Sequence, residues 1–366
     1  MSALLKDIFS VSFFDELSIA AKSTLPQFNK KKFLTLIYDD AWEARALKER
    51  VRHIAQCLQH FMPTAFNQSS IMLLHLTDEL QKQRGGAGGF EFMFLPDFVQ
   101  LYGQHDYKNS VKCIERITQF ISCEYAIRPL IMHYEKQAIP QLIAWSKHKN
   151  HHVRRLASEG SRPRLPWGMA LPNYKKDPSP ILPILHQLKN DPSEYVRRSV
   201  ANNLNDIAKD NPNVVLKLAE EWKGISEQTD AVIKHGCRTL LKQGHAHVLN
   251  YFGLNSNQIK VTNFSITLPQ ISVGQYLEFT FDVQNNSKIA QTLRLEYAVH
   301  YLRNNGQHNK KVFKISERVF EPNEQQAITR KQSFKPITTR KFYAGTQRLS
   351  IIVNGKEFEV LAFELN

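Results

Sequence analysis

The chain has 366 residues, of which 42% are hydrophobic and 22% charged, and its formal net charge is +14 at pH 7. That length exceeds what one compact core usually holds, so we expect two domains. No window approaches the roughly 18–20 apolar residues of a membrane span, which excludes a transmembrane protein. The positive excess favours a polyanionic partner, most simply nucleic acid, although a membrane surface or the ribosome would fit it equally well.

The N-terminal stretch and the cysteines both indicate a cytoplasmic protein. Lys6, Asp7 and Asp15 interrupt the first eighteen residues, so they form no signal-peptide core. The four cysteines show no CxxC pair and no zinc-like spacing, and we expect free thiols in a reducing compartment. They are Cys57, Cys113, Cys123 and Cys237.

Residues 1 to about 253 carry helical patterns separated by short breaks. The clearest runs are 42–62, 110–131 and 213–225, where apolar residues recur at spacings of three and four. This period predicts amphipathic helices.

The helical half also repeats itself. NHHVRRLASEG (150–160) is echoed by SEYVRRSVANNL (193–204), and VIKHGCRTLL (232–241) is a weaker third copy. A period near 40 residues built from helix pairs is typical of HEAT or armadillo units, which stack with one concave face. The two Val-Arg-Arg doublets should project in similar directions, as a row of guanidiniums suited to a phosphate backbone. The alternative is that one arginine of each doublet packs between repeats.

From about Asn257 the pattern changes to the two-residue alternation of strands. The seven runs are 259–267, 276–285, 292–302, 311–320, 325–334, 348–355 and 357–365. They predict an antiparallel, immunoglobulin-like β-sandwich. We therefore expect an all-α HEAT-like-repeat solenoid over residues 1–256, followed by an Ig-like sandwich over 257–366.

No metal or nucleophile motif survives inspection: HExxH and GxSxG are both absent, and we expect no cofactor and no metal. The remaining candidates for a chemical role are acidic residues on basic helices, and Glu159 is the foremost of them. It follows Arg155 by four residues, so an ion pair between them is the simplest alternative to a chemical role. Pro163 and Pro166 should end the helix promptly and leave Trp167 able to fold back beside Glu159.

Two further acids, Glu124 and Asp206, are weaker candidates for chemistry. An ion pair of Glu124 with Arg128, four residues later, would explain the first of them. A hydrogen bond inside its own helix would explain Asp206.

Four strings of the helical half resemble the DNA alkylation repair glycosylases, in the AlkC branch rather than the AlkD branch. They are FLPDFVQLYG (94–103), SCEYAIRPLI (122–131), VRRLASEGSRPRLPW (153–167) and YVRRSVANNLNDIAKDNP (195–212). Some members of that branch carry a C-terminal Ig-like domain. The resemblance implies a HEAT-like-repeat glycosylase that removes cationic alkylated bases, typically 3-methyladenine, from double-stranded DNA without flipping the base.

This reaction explains why an acid would lie among arginines. A positively charged base is already a good leaving group, and the barrier lies in forming an oxocarbenium-like deoxyribose, which a nearby carboxylate stabilises. Preorganised charge of this kind contributes about 10²–10³ in rate. We assign Glu159 as the main carboxylate, Glu124 as a second acid, Trp167 as a contact to the lesion or its sugar, and Asp206 as a reserve candidate.

The DNA backbone would be held by arginines. The expected set is Arg154, Arg155, Arg162, Arg164, Arg197 and Arg198. No lysine is an evident Schiff-base nucleophile, so we expect a monofunctional enzyme, acting as a monomer on duplex DNA that contains alkylated bases.

The alternative is a HEAT-repeat scaffold that binds DNA or an acidic protein without catalysis. It would be favoured if Glu159 and Glu124 both proved fully paired to arginines on the convex side. In the tail, the basic clusters 310–314, 330–335 and 339–343 either guard sheet edges or clamp the DNA.

Overall fold

The computed structural model describes residues 5–337 and 340–366. Within them, sixteen α-helices are followed by eight strands. The helices are α1 Val11–Thr24, α2 Lys30–Ile37, α3 Leu47–Gln59, α4 Phe66–Arg84, α5 Phe94–Tyr102, α6 Tyr107–Ile117, α7 Ile127–His133, α8 Glu135–Trp145, α9 His151–Gly160, α10 Pro172–Lys176, α11 Leu182–Leu188, α12 Glu194–Ile207, α13 Pro212–Trp222, α14 Glu227–Gly236, α15 Arg238–Lys242 and α16 Ala246–Tyr251. Short 3₁₀ turns cover Leu5–Ile8, Phe90–Phe92 and Ser179–Ile181.

Helix α9 shows how the local sequence sets these bounds. Asn150 caps its N-terminus by accepting a 2.8 Å hydrogen bond from the His152 amide, which satisfies one of the free donors of the first turn. Val153, Leu156 and Ala157 are buried at helical spacing. The helix ends at Gly160, shortly before Pro163, as the proline spacing predicts.

One helix predicted from the sequence is two helices in the structure. The run 110–131 was expected to be continuous, but α6 ends at Ile117 and α7 begins only at Ile127. Glu124 therefore lies in the connection between them and not on a helix. Because Glu124 lies outside both helices, its side chain can reach a residue of α9.

The predicted repeat is confirmed. Helix α9, which carries the first Val-Arg-Arg doublet, packs against α12, which carries the second, and α12 packs in turn against α14. Val153 and Val196, at the same phase of the repeat, are both fully buried. Equivalent helices of successive repeats thus lie side by side, as in HEAT-like units.

The predicted Ig-like sandwich is confirmed as well, with one short strand added. The strands are β1 Ile259–Ile266, β2 Gln270–Ile271, β3 Tyr276–Asn285, β4 Gln291–Leu302, β5 His308–Phe320, β6 Gln325–Ser333, β7 Gly345–Val353 and β8 Lys356–Leu365. They form a three-stranded sheet, β1-β3-β6, and a five-stranded sheet, β2-β8-β7-β4-β5. All pairings are antiparallel except that of β2 with β8.

Alternating burial along the strands builds the sandwich core. In β3, Leu277, Phe279 and Phe281 are fully buried while the residues between them are partly exposed. Across the core they join apolar residues of the five-stranded sheet such as Leu295 and Ile351. This is the arrangement that two packed sheets require.

Two of the three basic clusters of the tail lie on edge strands, since β5 and β6 each end a sheet: 310–314 lies in β5, and 330–335 begins in β6. Lys310 of β5 is paired with Glu357, and Lys331 of β6 with Glu278. Lysines on an edge strand oppose pairing with other chains, which fits the edge-guarding role. Thr339, in the third cluster, lies outside the described residues.

Two compact units emerge from the contacts, Met1–Gly236 and Cys237–Asn366. The predicted boundary between residues 256 and 257 lies in the segment between the end of α16 at Tyr251 and the start of β1 at Ile259, and it stays a prediction. The second unit nevertheless includes α15 and α16. Asn354 of the sandwich donates a 2.7 Å hydrogen bond to the Asn255 carbonyl, which ties this segment to the strands.

Among the described residues, every helix is too short or too polar to cross a lipid bilayer.

Candidate active site

Glu159 lies in the last turn of α9, where its carboxylate is almost completely buried, with 7% of the side chain exposed. Its Oε1 accepts a 2.7 Å hydrogen bond from Arg162 and lies 3.4 Å from a guanidinium nitrogen of Arg155. Its Oε2 accepts a 2.6 Å hydrogen bond from Ser199 of α12. The carboxylate is therefore held rigidly at the contact between two repeats.

The network continues from Arg162 along α12. Arg162 also donates from Nε to Asp206, at 2.8 Å, and Lys209 lies 3.1 Å from the other oxygen of Asp206. Asn203, on the same face of α12, donates to the Ser158 carbonyl of α9 at 2.8 Å. The Asp206 carboxylate therefore forms ion pairs with Arg162 and Lys209, and not the hydrogen bond inside its own helix that was the alternative to a chemical role.

Glu124 reaches the same network from the connection between α6 and α7. It accepts hydrogen bonds from Arg155 and, at 2.5 Å, from Ser122. Its expected partner, Arg128, points elsewhere: Arg128 donates to the Gly160 carbonyl at 2.9 Å and to the Met169 carbonyl at 2.6 Å. The interpretation of Glu124 and Arg128 as an internal helix pair is wrong, because residue 124 is not helical.

Acids and cations alternate through this site, which we call the charged cluster. Its members, in order of contact, are Glu124, Arg155, Glu159, Arg162, Asp206 and Lys209. Such alternation lets three carboxylates be buried together, since each cation offsets the repulsion between the acids on either side of it.

The carboxylates keep the two arginines protonated in spite of their burial. Burial alone would lower the pKa of Arg155, but Glu159 and Glu124 outweigh it and the pKa is raised. The pKa of Arg162 is likewise raised, with Glu159 and Asp206 outweighing its burial. The cluster is thus a fixed array of charges, which is the form in which electrostatic catalysis acts.

Arg128 and Tyr125 lie close enough to the charged cluster for its charges to shift their pKa values. Burial, together with the positive charge of Arg162, lowers the pKa of Arg128 to about 10. Burial raises the pKa of Tyr125, and the charges of Glu124 and Glu159 add to the effect. Tyr125 and Arg128 both contact the loop that carries Trp167.

Trp167 does not fold back onto Glu159 but stands out from the surface, with 66% of the residue exposed. Its backbone has a φ of 63°, in the left-handed region that non-glycine residues rarely adopt. Gly168 follows because a Cβ there would lie 3.0 Å from Leu165 and 3.2 Å from Tyr125. The chain thus presents an indole face to solvent in a fixed turn.

A cleft of about 800 Å³ lies beside this indole, within the helical unit. Its walls come from α3 and the residues just before it, from α5 with Met93 before it, from the α6–α7 connection and from the 167–169 loop, and they include Lys48, Arg52, Met93, Tyr125 and Trp167. Apolar and aromatic walls with a few charged groups at the rim are typical of ligand clefts.

The first arginines of the two doublets make equivalent internal contacts. Arg154 donates to the carbonyls of residues 148 and 149, and Arg197 donates in the same way to those of residues 191 and 192. Arg154 also holds Asp191 through two hydrogen bonds of 2.6 and 3.0 Å. These contacts fasten the turn before each helix, and they match the packing alternative for one arginine of each doublet.

The second arginines differ from one another. Arg155 lies in the charged cluster under Tyr195, whose ring centroid is 5.0 Å away. Arg198 is exposed and, within the part of the chain that the structure describes, forms its ion pair with Glu194 alone, at 2.8 Å. The expected row of guanidiniums at equal phase is therefore not formed. Arg164, paired with Asp210 but 38% exposed, is the other member of the set that faces solvent.

Comparison with known proteins extends over the whole chain. A family model described as DNA alkylation repair enzyme matches residues 105–238, and one described as uncharacterised protein YhaZ, C-terminal Ig-like domain, matches residues 260–366. Uncharacterized protein YhaZ of Bacillus subtilis (strain 168) is 42% identical over 362 residues, 99% of each chain. A solved structure of Pseudomonas fluorescens alkylpurine DNA glycosylase AlkC, bound to DNA containing an abasic site analog, is 34% identical, covers 100% of both chains and has a TM-score of 0.92. The chain belongs to the AlkC family of DNA alkylation repair proteins.

Membership of the AlkC family supports a repair glycosylase, and the DNA alkylation repair enzyme match includes the candidate catalytic residues. Residues 105–238 contain Glu124, Glu159, Trp167 and Asp206. In the described parts of the chain, 5–337 and 340–366, no three His, Cys, Asp or Glu side chains gather as ligands for a metal ion.

Two buried polar residues of this AlkC-family chain were not singled out from the sequence: Ser199, which donates to Glu159, and Asn203, which donates to the Ser158 carbonyl. Together with Asp206, which was singled out, they follow one another at spacings of four and three, and all three are buried. Polar residues at helical spacing, where an apolar stripe is expected, were the signal that could have found them. Lys48 and Ser122, by contrast, gave no signal in the sequence.

Proposed function

We propose that this protein is a monofunctional DNA glycosylase that hydrolyses the N-glycosidic bond of cationic alkylated bases, of the 3-methyladenine type, in double-stranded DNA. It acts as a monomer and without flipping the base. The observation that carries the proposal is a buried carboxylate, Glu159, held between two arginines close to a loop that presents Trp167 to solvent.

Glu159 is built to supply fixed negative charge. A carboxylate offers about four lone-pair positions, and among the described residues Ser199 is the one donor to Oε2, so this oxygen has a lone pair that could receive a hydrogen bond from water. As the C1′–N bond lengthens, positive charge moves from the base to the deoxyribose. A carboxylate that is already oriented stabilises that charge without reorganising, and it can direct a water molecule at C1′.

Glu124 and Asp206 modulate the electrostatic environment of the Glu159 carboxylate. Glu124 forms an ion pair with Arg155, and Asp206 forms one with Arg162, so each arginine adjacent to Glu159 is shared with a second acid. The second acid therefore partly neutralises the positive charge that each arginine exerts on Glu159. We assign Glu124 and Asp206 to this tuning role in the reaction.

Trp167 supplies the contact with the lesion or its sugar. An indole face attracts a flat cation through its quadrupole, more strongly than it attracts a neutral base. Because the ring already stands at the surface, it can meet a base in a bent duplex that has not been extruded. Phosphates would be held by the arginines that face solvent, Arg164 and Arg198.

The scaffold alternative has one observation in its favour: both Glu124 and Glu159 are paired to Arg155 in the free protein. A base-release assay separates the two functions. Duplex DNA treated with a methylating agent is incubated with the protein, and freed bases are identified by chromatography. The proposal expects 3-methyladenine or a similar cationic base to appear in solution. DNA that is bound but releases no base would establish the scaffold.

Two finer parts of the proposal have tests of their own. Borohydride should trap no covalent protein–DNA product, since no Schiff base forms. A 2-aminopurine placed at the lesion position should not brighten as a fully unstacked base does.

A further inference from the structure

The turn that carries Trp167 is not stabilised by burial of its side chain. The indole is largely exposed and the 800 Å³ cleft lies on one side of it. A left-handed non-glycine residue is strained, and such strain persists only where the surroundings fix it. Something other than apolar packing must therefore hold the turn.

Hydrogen bonds to the carbonyls of the turn do so. Arg128 Nε donates to the Met169 carbonyl at 2.6 Å, and the Tyr125 hydroxyl makes a long contact of 3.5 Å with the Pro166 carbonyl. The carbonyl of Trp167 itself accepts from Lys48, whose Nζ lies 2.5 Å away. Lys48 belongs to the first turn of α3, 119 residues earlier in the chain.

Lys48 is itself oriented for this contact. Its ammonium lies 5.3 Å from the centroid of the Tyr125 ring, at cation–π distance. A charged donor makes a stronger hydrogen bond to a carbonyl than a neutral one. Since this bond falls on the strained residue, it controls the orientation of the peptide that follows the indole.

We propose that Lys48 is a positioning residue, which fixes the left-handed turn and so holds the Trp167 indole where the lesion meets it. The inference rests on the proposed glycosylase function. Lys48 acts through Trp167 and not on the reacting atoms.

The test compares Lys48→Met, which keeps the length of the side chain but removes the donor, with Lys48→Arg, which keeps a cation and a donor. Lys217→Met is the matched control, because Lys217 is an exposed lysine of the same unit, on α13. Each protein is labelled with 5-fluorotryptophan, and its resonance for residue 167 is assigned by Trp167→Phe. The other three tryptophans are buried and serve as internal references: Trp42, Trp145 and Trp222.

In Lys48→Met, the Trp167 resonance should shift or broaden while the other three stay in place. Single-turnover base release should fall about tenfold, at a DNA affinity equal to that of Lys217→Met. Lys48→Arg should restore both the resonance and the rate. An unchanged Trp167 resonance would overturn the inference, and so would a loss of DNA affinity at an unchanged rate, which would make Lys48 a phosphate ligand. If the wild-type protein releases no base, the proposed function fails, and the resonances still decide whether Lys48 fixes the turn.

Discussion

Arg154 was expected to hold a phosphate, but its contacts predict that its loss destabilises the fold. The guanidinium is 15% exposed and Asp191 only 4%, and two hydrogen bonds join them. In Arg154→Ala the Asp191 carboxylate stays buried and keeps the hydrogen bond that it accepts from the Ser193 amide at 2.9 Å. Removing one partner of a buried ion pair costs about 3–5 kcal/mol.

That loss is large for a protein whose total stability is about 5–15 kcal/mol. For a unit of this size, each kcal/mol moves the melting temperature by about 2–4 °C, so we expect a fall of about 6–20 °C. Arg198→Ala is the matched control, because it removes an arginine of the repeated doublets whose ion pair is exposed on both sides. Exposed pairs contribute about 0–1 kcal/mol, so its melting temperature should hardly change.

DNA binding should show the reverse pattern. The folded fraction of Arg154→Ala should keep the wild-type dependence of affinity on salt, whereas Arg198→Ala should flatten the logarithmic slope by about one unit for one lost phosphate contact. Thermal denaturation and salt titration on undamaged duplex measure the two effects. An Arg154→Ala protein that melts with the wild type and loses salt dependence would refute the packing role and restore the phosphate contact.

Three further outcomes follow from the structure. Burial raises the pKa of the cysteine thiols, to about 12 in Cys57, Cys113 and Cys237 and well above its ordinary value in Cys123, so a thiol reagent at pH 8 should label none before denaturation and four after it. A hydrogen bond from Arg164 lowers the pKa of Asp210, so that pair stabilises the fold above the unfolded value of about 3.9 and loses its effect as pH falls through the lowered folded value. The melting temperatures of wild type and Arg164→Gln should therefore converge on acidification, and a gap independent of pH would contradict this. Ending the chain at Gly236, where the first compact unit ends, should leave a folded helical unit with sharply reduced DNA binding and excision; full activity there would make the tail an accessory.

The sequence predicted most of the fold because both periods are strong. Helical spacing located α9 and α12 and the repeat between them, and strand alternation located seven of the eight strands described. It failed between residues 118 and 126, where no glycine or proline marks the break between α6 and α7. Glu124 there pairs with Arg155, 31 residues away, and local propensity carries no information about such a contact.

The sequence singled out the three acids that the structure brings into one charged cluster, but not the residues around them, and their role in catalysis stays a prediction. Position in the repeat could not show that Arg155 enters the charged cluster while Arg198, at the same phase, faces solvent. The reason is that Glu124 and Glu159 both pair with Arg155, whereas Arg198 pairs with Glu194 of its own helix. Trp167 was placed in the right loop, but its exposure follows from a left-handed backbone that the sequence does not reveal.

The most direct test of the account is the single-turnover rate of base release by Glu159→Gln, measured beside its affinity for DNA. Glutamine keeps the shape of the side chain and can accept from Arg162, while Arg155 and Arg162 retain Glu124 and Asp206 as partners. The variant should therefore fold and bind DNA as well as the wild type or slightly better, because a negative charge near phosphates is gone. Its rate should fall about 10²–10³-fold. A variant that releases the base at close to the wild-type rate would contradict the assignment of Glu159 as the catalytic carboxylate.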